Sequence, residues 1–275
     1  MKLVNKTLVH LFLMAFVALM LLPLYLAIIA ASNEGALMMQ TQLPFIPGVS
    51  FFKNMSSVLT KGLAVTGGEP ITRMLCNSLI MALGITCGKI ILALTSAFAL
   101  VYFDFPFKKI CFALIFATMM LPVEVRILPT FQVIASFGLL NSFSGLTLPL
   151  LASATGTFLF RQFFKTIPAE LVDASKLDGA GPIRFFWDVV LPLSKPQIAA
   201  LFVILFVYGW NQYLWPLVIT TETKMSTIVM GIRYLAGVAD QVPEWHYIMA
   251  VALIALIPPC LVVLLTQRWF EKGLQ

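Results

Sequence analysis

The sequence predicts an all-α integral membrane protein with six transmembrane helices, and three observations carry that prediction. Of 275 residues, 60% are hydrophobic and only 11% are Asp, Glu, Lys or Arg, against about 25% charged in an ordinary soluble domain. The apolar residues come in uninterrupted blocks of about membrane-spanning length, so the low charge reflects a lipid-facing surface. The basic residues are divided unevenly between the segments that join those blocks. A soluble enzyme is excluded. The net charge of +6 is scattered rather than striped and accompanies no nucleic-acid-binding motif, so it reports membrane orientation and no nucleic acid partner is expected. Cys76, Cys87, Cys111 and Cys260 form no CxxC pair, and neither a disulfide framework nor a metal site is expected.

The first block runs from Leu8 to Ala31. Lys2 and Lys6 before it and Ala30-Ala31-Ser32 after it imitate a secretory leader. The apolar core of such a leader spans about 7 to 15 residues, and this one is nearly twice as long, so an uncleaved first span is expected. The remaining blocks are Leu79 to Tyr102, Ile110 to Val123, Leu146 to Phe160, Ala199 to Leu217 and Tyr247 to Thr266. At about 1.5 Å of rise per residue a span needs about 20 residues. The third and fourth blocks must therefore extend through flanks such as Glu124 to Pro129 or Gly138 to Gly145. With the N-terminus inside and one crossing per block, Lys2, Lys6, Lys108, Lys109, Arg161, Lys165, Lys176, Arg184, Lys195, Arg268 and Lys272 face inward. Only Lys53, Lys61, Arg73, Lys224 and Arg233 face outward, so the positive-inside rule places both termini in the cytoplasm. No repeat and no inverted duplication of the two halves is visible, which weakens a secondary-transporter reading.

Two hydrophilic stretches stand out, an outward loop of about Ser32 to Arg73 and an inward loop of about Arg161 to Gln197. In the inward loop Pro168 and Glu170 suit a first helical turn, and Gly179 suits the left-handed residue that ends a helix, which predicts a helix from Ala169 to Asp178. Gly181 and Pro182 start a second helix. Ile183, Phe186 and Val190 recur at spacings of three and four and give it an apolar stripe, with Phe185 and Trp187 beside it, until Pro192 stops it. The pair forms either an amphipathic element on the lipid surface or a knob that a soluble partner grips.

The same loop carries a resemblance. Asp173-Ala174-Ser175, three residues, Gly179, nine residues, Val189, one residue and Leu191-Pro192 keep the spacing of the Glu-Ala-Ala loop motif in permeases of ATP-binding-cassette importers, with Asp for Glu at 173, Ser for Ala at 175 and Val for Ile at 189. Leu121-Pro122-Val123-Glu124-Val125-Arg126, Gly138-Leu-Leu-Asn141, Leu148-Pro149, Trp210-Asn211-Gln212-Tyr213-Leu214-Trp215-Pro216 and Gln267-Arg268 extend it over about residues 72 to 274. The chain thus resembles the carbohydrate-type importer permeases, among them those importing sn-glycerol-3-phosphate. The resemblance implies a type I importer permease fold: residues 1–71 an N-terminal helix with a periplasmic loop, 72–268 the permease domain and 269–275 a short cytoplasmic tail. It implies a bacterial inner membrane location, a second homologous permease, two copies of an ATPase subunit and a periplasmic substrate-binding protein. ATP and magnesium would sit on the ATPase, and this chain would bind no cofactor. Asp173, Ala174, Ser175, Asp178, Gly179, Pro182, Phe186, Leu191 and Pro192 would form the coupling element. Glycerol-3-phosphate or a glycerophosphodiester is the implied substrate, with a sugar or oligosaccharide as the alternative.

Ionisable residues inside a span cost about 2.5–3.5 kcal/mol on insertion scales, so each marks a candidate site. Lys89, near the middle of the second span, either faces the substrate path or, structurally, faces another subunit or pairs with a carboxylate. It is no phosphate-loop lysine, because the glycines of Gly84-Ile-Thr-Cys-Gly88-Lys89-Ile90 are one residue too close and Ile replaces the Ser or Thr; Gly84 and Gly88 form a small-residue packing face. Glu124 and Arg126 sit between Pro122 and Pro129, where an interrupted helix exposes backbone and charge. For a phosphate monoester, Arg126 offers bidentate recognition, its alternatives being an ion pair with Glu124 or an interfacial anchor. Asn211 and Gln212 are assigned to a cavity or gate, and Trp215 to the interfacial aromatic belt.

An intramembrane enzyme is disfavoured: His10 and His246 lie at opposite ends of the chain, and no HExxH or GxSxG is present. An ion-coupled transporter using Lys89 or Glu124 is the remaining rival, separated by its independence of any ATPase.

Overall fold

The computed structural model describes residues 2–35, 44–61, 67–118, 123–237 and 243–273, with the side chains of 2–5, 123–124 and 268–273 excepted. Among the described residues every regular element is helical. They are α1 (Lys2–Ser32), α2 (Phe51–Thr60), α3 (Ile71–Tyr102), α4 (Lys108–Ala117), α5 (Val123–Ser136), α6 (Phe143–Leu150, its last turn 3-10), α7 (Ala154–Phe164), α8 (Ala169–Leu177), α9 (Pro182–Leu193), α10 (Lys195–Trp210), α11 (Leu214–Ile219), α12 (Ile228–Ala236) and α13 (Trp245–Gly273).

The predicted first, second and sixth spans are α1, α3 and α13, each long and apolar enough to cross a bilayer alone. The other three are broken. The fourth is α6 and α7, bent by 50° where Ser153 caps α7 by accepting the Gly156 N–H at 3.2 Å. Leu146 to Phe160 is therefore not one straight helix. The third begins as α4, resumes as α5 and thereby extends through Glu124 to Pro129; neither helix reaches 18 residues. The fifth ends at Trp210 instead of running to Leu217. Asn211 caps α10, the Gln212 side chain turns back to donate to the Tyr208 carbonyl at 3.2 Å, and α11 starts afresh at Leu214. Among the described residues three helices are long and apolar enough to cross a bilayer alone, or up to five if the bent pairs α6–α7 and α9–α10 each count as one span.

The chain divides into two compact units, residues 1–75 with 228–257 and residues 76–227 with 258–275. In the first, the end of α1 is closed by side chains from the outward loop. The last carbonyls of a helix lack partners within it. Here Asn33 donates to the Ile29 carbonyl at 2.8 Å, and buried Asn54 donates to the Ala31 and Asn33 carbonyls, both at 2.9 Å. Ser32 accepts the Gly48 N–H at 2.9 Å. Gly48 approaches so closely that a Cβ there would stand 2.5 Å from the Ser32 carbonyl oxygen.

In the second unit two apolar clusters flank α3. One gathers Ala93, Ala97, Phe160, Phe164, Phe185, Val190 and Leu205. The other gathers Met81, Ile85, Leu146, Trp215 and Ile219. The small-residue face of α3 is borne out. A Cβ on Gly84 would meet Thr147 at 3.0 Å, and one on Gly88 would collide with the Leu151 side chain, so the two glycines let α6 and its following turn lie against α3. Gly138 (φ 67°) and Asn141 (φ 51°) turn the chain between α5 and α6. The Asn141 side chain accepts the Thr221 and Glu222 N–H groups at 2.7 and 3.1 Å, tying that turn to the one after α11.

Candidate functional site

The inward loop folds as two short helices. α8 begins after Pro168 and ends in a left-handed Gly179 at φ 73°. The Gly179 N–H donates to the Lys176 carbonyl at 3.0 Å and the Ala180 N–H to the Ser175 carbonyl at 2.9 Å, the paired bonds of a Schellman cap. α9 begins at Pro182, as the sequence predicts, but Pro192 does not stop it. Residues Phe186–Val190 widen into a π turn, and the helix continues to Leu193 before bending by 72° into α10. A π turn re-aims the carbonyls that a regular helix would offer to the missing proline N–H, so the ring fits without breaking the helix.

The apolar stripe of α9 divides between the interior and the surface. Phe185 and Val190 enter the cluster beneath the knob, and the Phe186 ring stands 5.0 Å from that of Phe98. Ile183 of that stripe is 75% exposed, as are Trp187 at 60% and, from α8, Leu177 at 90%. Asp173, Ala174 and Asp178 are exposed; Asp173 has a loose ion pair with Lys176 at 3.4 Å, and Ser175 donates to the Val172 carbonyl at 2.7 Å. Leu191 is half-buried and Pro192 exposed. The result is a knob keyed by aromatic packing to the C-terminal end of α3, with Asp173, Asp178, Leu177, Ile183 and Trp187 on its outer surface.

The polar residues assigned to the spans partly converge. Lys89 is 8% exposed, with its Nζ 4.2 Å from the Tyr208 ring centroid. No carboxylate pairs with it among the described residues, so the ion-pair alternative gives way to a cation–π contact, worth about 2 kcal/mol when desolvated. Arg126 is near enough to act electrostatically on both Lys89 and Tyr208. It borders a cavity of about 60 Å³ with Ile127, Thr130, Pro149, Leu150 and Trp215. Gln212 bonds to Tyr208 and so joins this group, whereas Asn211 is exposed at the end of α10. The Glu124 side chain lies outside the described residues. Trp215 is not a belt residue: it is 3% exposed and donates its indole N–H to the Gly145 carbonyl at 3.2 Å. Sequence reading missed Tyr208, whose ring holds Lys89 across the two helices; its aromatic position on a span carries no local signal of that role.

Broken spans around a cationic centre and a keyed helical knob define a class of protein, the membrane component of a transporter. The fold agrees with that of a bacterial ABC transporter involved in import of the acidic polysaccharide alginate, at TM-score 0.82, 20% identity, 97% of this chain and 96% of that one. Residues 89–275 match the family described as binding-protein-dependent transport system inner membrane component, and the chain belongs to that family. Among its relatives is the sn-glycerol-3-phosphate transport system permease protein UgpE of Yersinia pestis, 52% identical over 265 residues, which are 96% of this chain and 94% of that one. The proteins of the same name from Rhizobium meliloti and Brucella melitensis are each 49% identical, over 96% and 98% of this chain and 94% and 96% of theirs.

Proposed function

We propose that this chain is a permease subunit of an importer for sn-glycerol-3-phosphate, working with a second permease, two ATPase subunits and a periplasmic binding protein, with both termini cytoplasmic. Relatives about half identical over nearly the whole chain, named as sn-glycerol-3-phosphate transport permeases, support that substrate. The physical observation that carries it is a buried cation, Lys89, held over the Tyr208 ring with Arg126 near enough to act on it electrostatically. Lys89 is buried and Arg126 exposed, and two like charges of which one is desolvated repel more than they would in water. An anionic substrate relieves that repulsion, and a neutral sugar does not, which favours a phosphate monoester over the sugar alternative.

In this reading the guanidinium of Arg126 takes phosphate oxygens bidentately and Lys89 supplies a point charge released from Tyr208. Gln212 holds Tyr208 in place and Asn211 stands at the outward mouth. Motion reaches these residues from the knob. Asp173, Ala174, Ser175, Asp178 and Gly179 of the first helix, with Pro182, Phe186, Leu191 and Pro192 of the second, form the element gripped by the ATPase, and the exposed Leu177, Ile183 and Trp187 supply its apolar contacts. Closure of the ATPase pair then displaces α9 and, through the bend at Ser194, α10 with Tyr208. A transporter must bias two states by differential contacts, and a rigid lever joined to a helix at the binding centre does so.

The test is uptake of labelled glycerol-3-phosphate in cells lacking their own importers and supplied with the complete system. Competition by unlabelled glycerol-3-phosphate and not by maltose is expected. Competition by maltose alone would transfer the assignment to sugars.

A further inference from the structure

A second cavity, of about 210 Å³, lies between α3, α4 and α7. Its polar lining is four hydroxyls, those of Ser96, Thr118, Ser153 and Thr157, set among Leu92, Ile115, Ala152 and Ala154. No charged side chain among the described residues lines it. It shares the break in the fourth span with the Arg126 cavity, which touches Pro149 and Leu150 on one side while this one touches Ala152 and Ser153 on the other. Consecutive Cα atoms are about 3.8 Å apart, so the two cavities are near neighbours. Ser96 also stands seven residues beyond Lys89 on α3, which is two turns, about 10 Å, along the same face.

The hydroxyls divide into donors and acceptors. Thr118 and Thr157 donate to the Ile115 and Ser153 carbonyls at 2.7 and 3.0 Å, which leaves their lone pairs to accept. Ser153 accepts the Gly156 N–H at 3.2 Å, which leaves its O–H to donate. A polyol needs both kinds of group, because each of its hydroxyls donates once and accepts twice. Apolar side chains between them suit its C–H surface.

We propose that this cavity is a hydroxyl-recognising subsite which takes the polyol part of the substrate one step inward of the Arg126 and Lys89 cations. The inference rests on the reading of the substrate as a polyol phosphate and adds where its uncharged half is recognised. Hydroxyls without a countercharge favour a polyol's neutral half over a dianion, so the two cavities together favour a phosphate ester of a polyol over either half alone.

The test uses the complete importer in proteoliposomes, with Cys76, Cys87, Cys111 and Cys260 replaced by serine and either Ser153→Cys or Ser96→Cys introduced. Uptake of labelled glycerol-3-phosphate by the cysteine-free parent is recorded first, and its absence refutes the substrate reading and the inference with it. Given uptake, the added thiol is labelled with a charged, membrane-impermeant methanethiosulfonate. Labelling at either position, slowed at least tenfold by glycerol-3-phosphate and unchanged by inorganic phosphate, is expected. No labelling at both positions places the groove against lipid or the partner permease and overturns the inference alone. Labelling without protection, or equal protection by inorganic phosphate, also overturns it. Should one variant fail to assemble, the other reports.

Discussion

Replacing Gly179 by valine isolates the contribution of the knob's geometry to transport. Gly179 sits at φ 73°, where an L residue is strained by roughly 1–2 kcal/mol, and a β-branched side chain lies at or above the top of that range. No heavy atom lies within 4 Å of where its Cβ would stand, so contacts add nothing and the perturbation is purely one of backbone. Both cap bonds, from Gly179 to Lys176 and from Ala180 to Ser175, depend on that conformation. About 2 kcal/mol converts to roughly a thirtyfold shift from the capped knob toward a frayed one, at about 1.4 kcal/mol per factor of ten. The assay is glycerol-3-phosphate uptake per ATP hydrolysed by the reconstituted complex, with the amount of inserted protein measured alongside. Gly179→Val is expected to lower that ratio severalfold with insertion unchanged, and Gly179→Asn, which tolerates the left-handed region, to stay near wild type. Equal ratios in both variants would refute the argument that cap geometry transmits the motion.

Three further expectations concern single side chains. Asp173→Lys reverses an exposed charge whose one partner is Lys176 at 3.4 Å, so folding should be unaffected, since exposed pairs contribute about 0–1 kcal/mol, while the ATPase no longer co-purifies; retained co-purification counts against the docking surface. Lys89→Met and Arg126→Gln should each raise the KM for glycerol-3-phosphate uptake at least tenfold, a loss of about 1.4 kcal/mol, and an unchanged KM in both would remove them from the pathway. Trp215→Phe leaves the Gly145 carbonyl without its indole donor and should cost about 1–3 kcal/mol of stability, read as a lower unfolding temperature of the purified chain; an unchanged temperature contradicts the buried role.

The features legible in the sequence are those set by local chemistry. Pro168, Gly179 and Pro182 mark helix ends because proline and glycine constrain the backbone wherever they occur, and the structure keeps all three. Long apolar blocks give α1, α3 and α13. Lost from view are features that depend on packing. The π turn at Phe186–Val190, which lets the helix run past Pro192, departs from the regular period that sequence spacing assumes. Trp215 reads as an interfacial residue until the Gly145 carbonyl, distant in sequence, is known to accept its N–H. The capping of α1 by Asn54 across the outward loop and the holding of Lys89 by Tyr208 are likewise made by partners far apart in the chain. The breaks at Ser153 and Asn211 fall inside continuous apolar blocks, where hydropathy sees only an uninterrupted span.

The most direct measurement is uptake of labelled glycerol-3-phosphate by proteoliposomes holding this chain with its partner permease and ATPase, with each component, ATP and the binding protein omitted in turn. The account predicts uptake only when every component and ATP are present. Uptake by this chain alone, driven by an ion gradient, would contradict it.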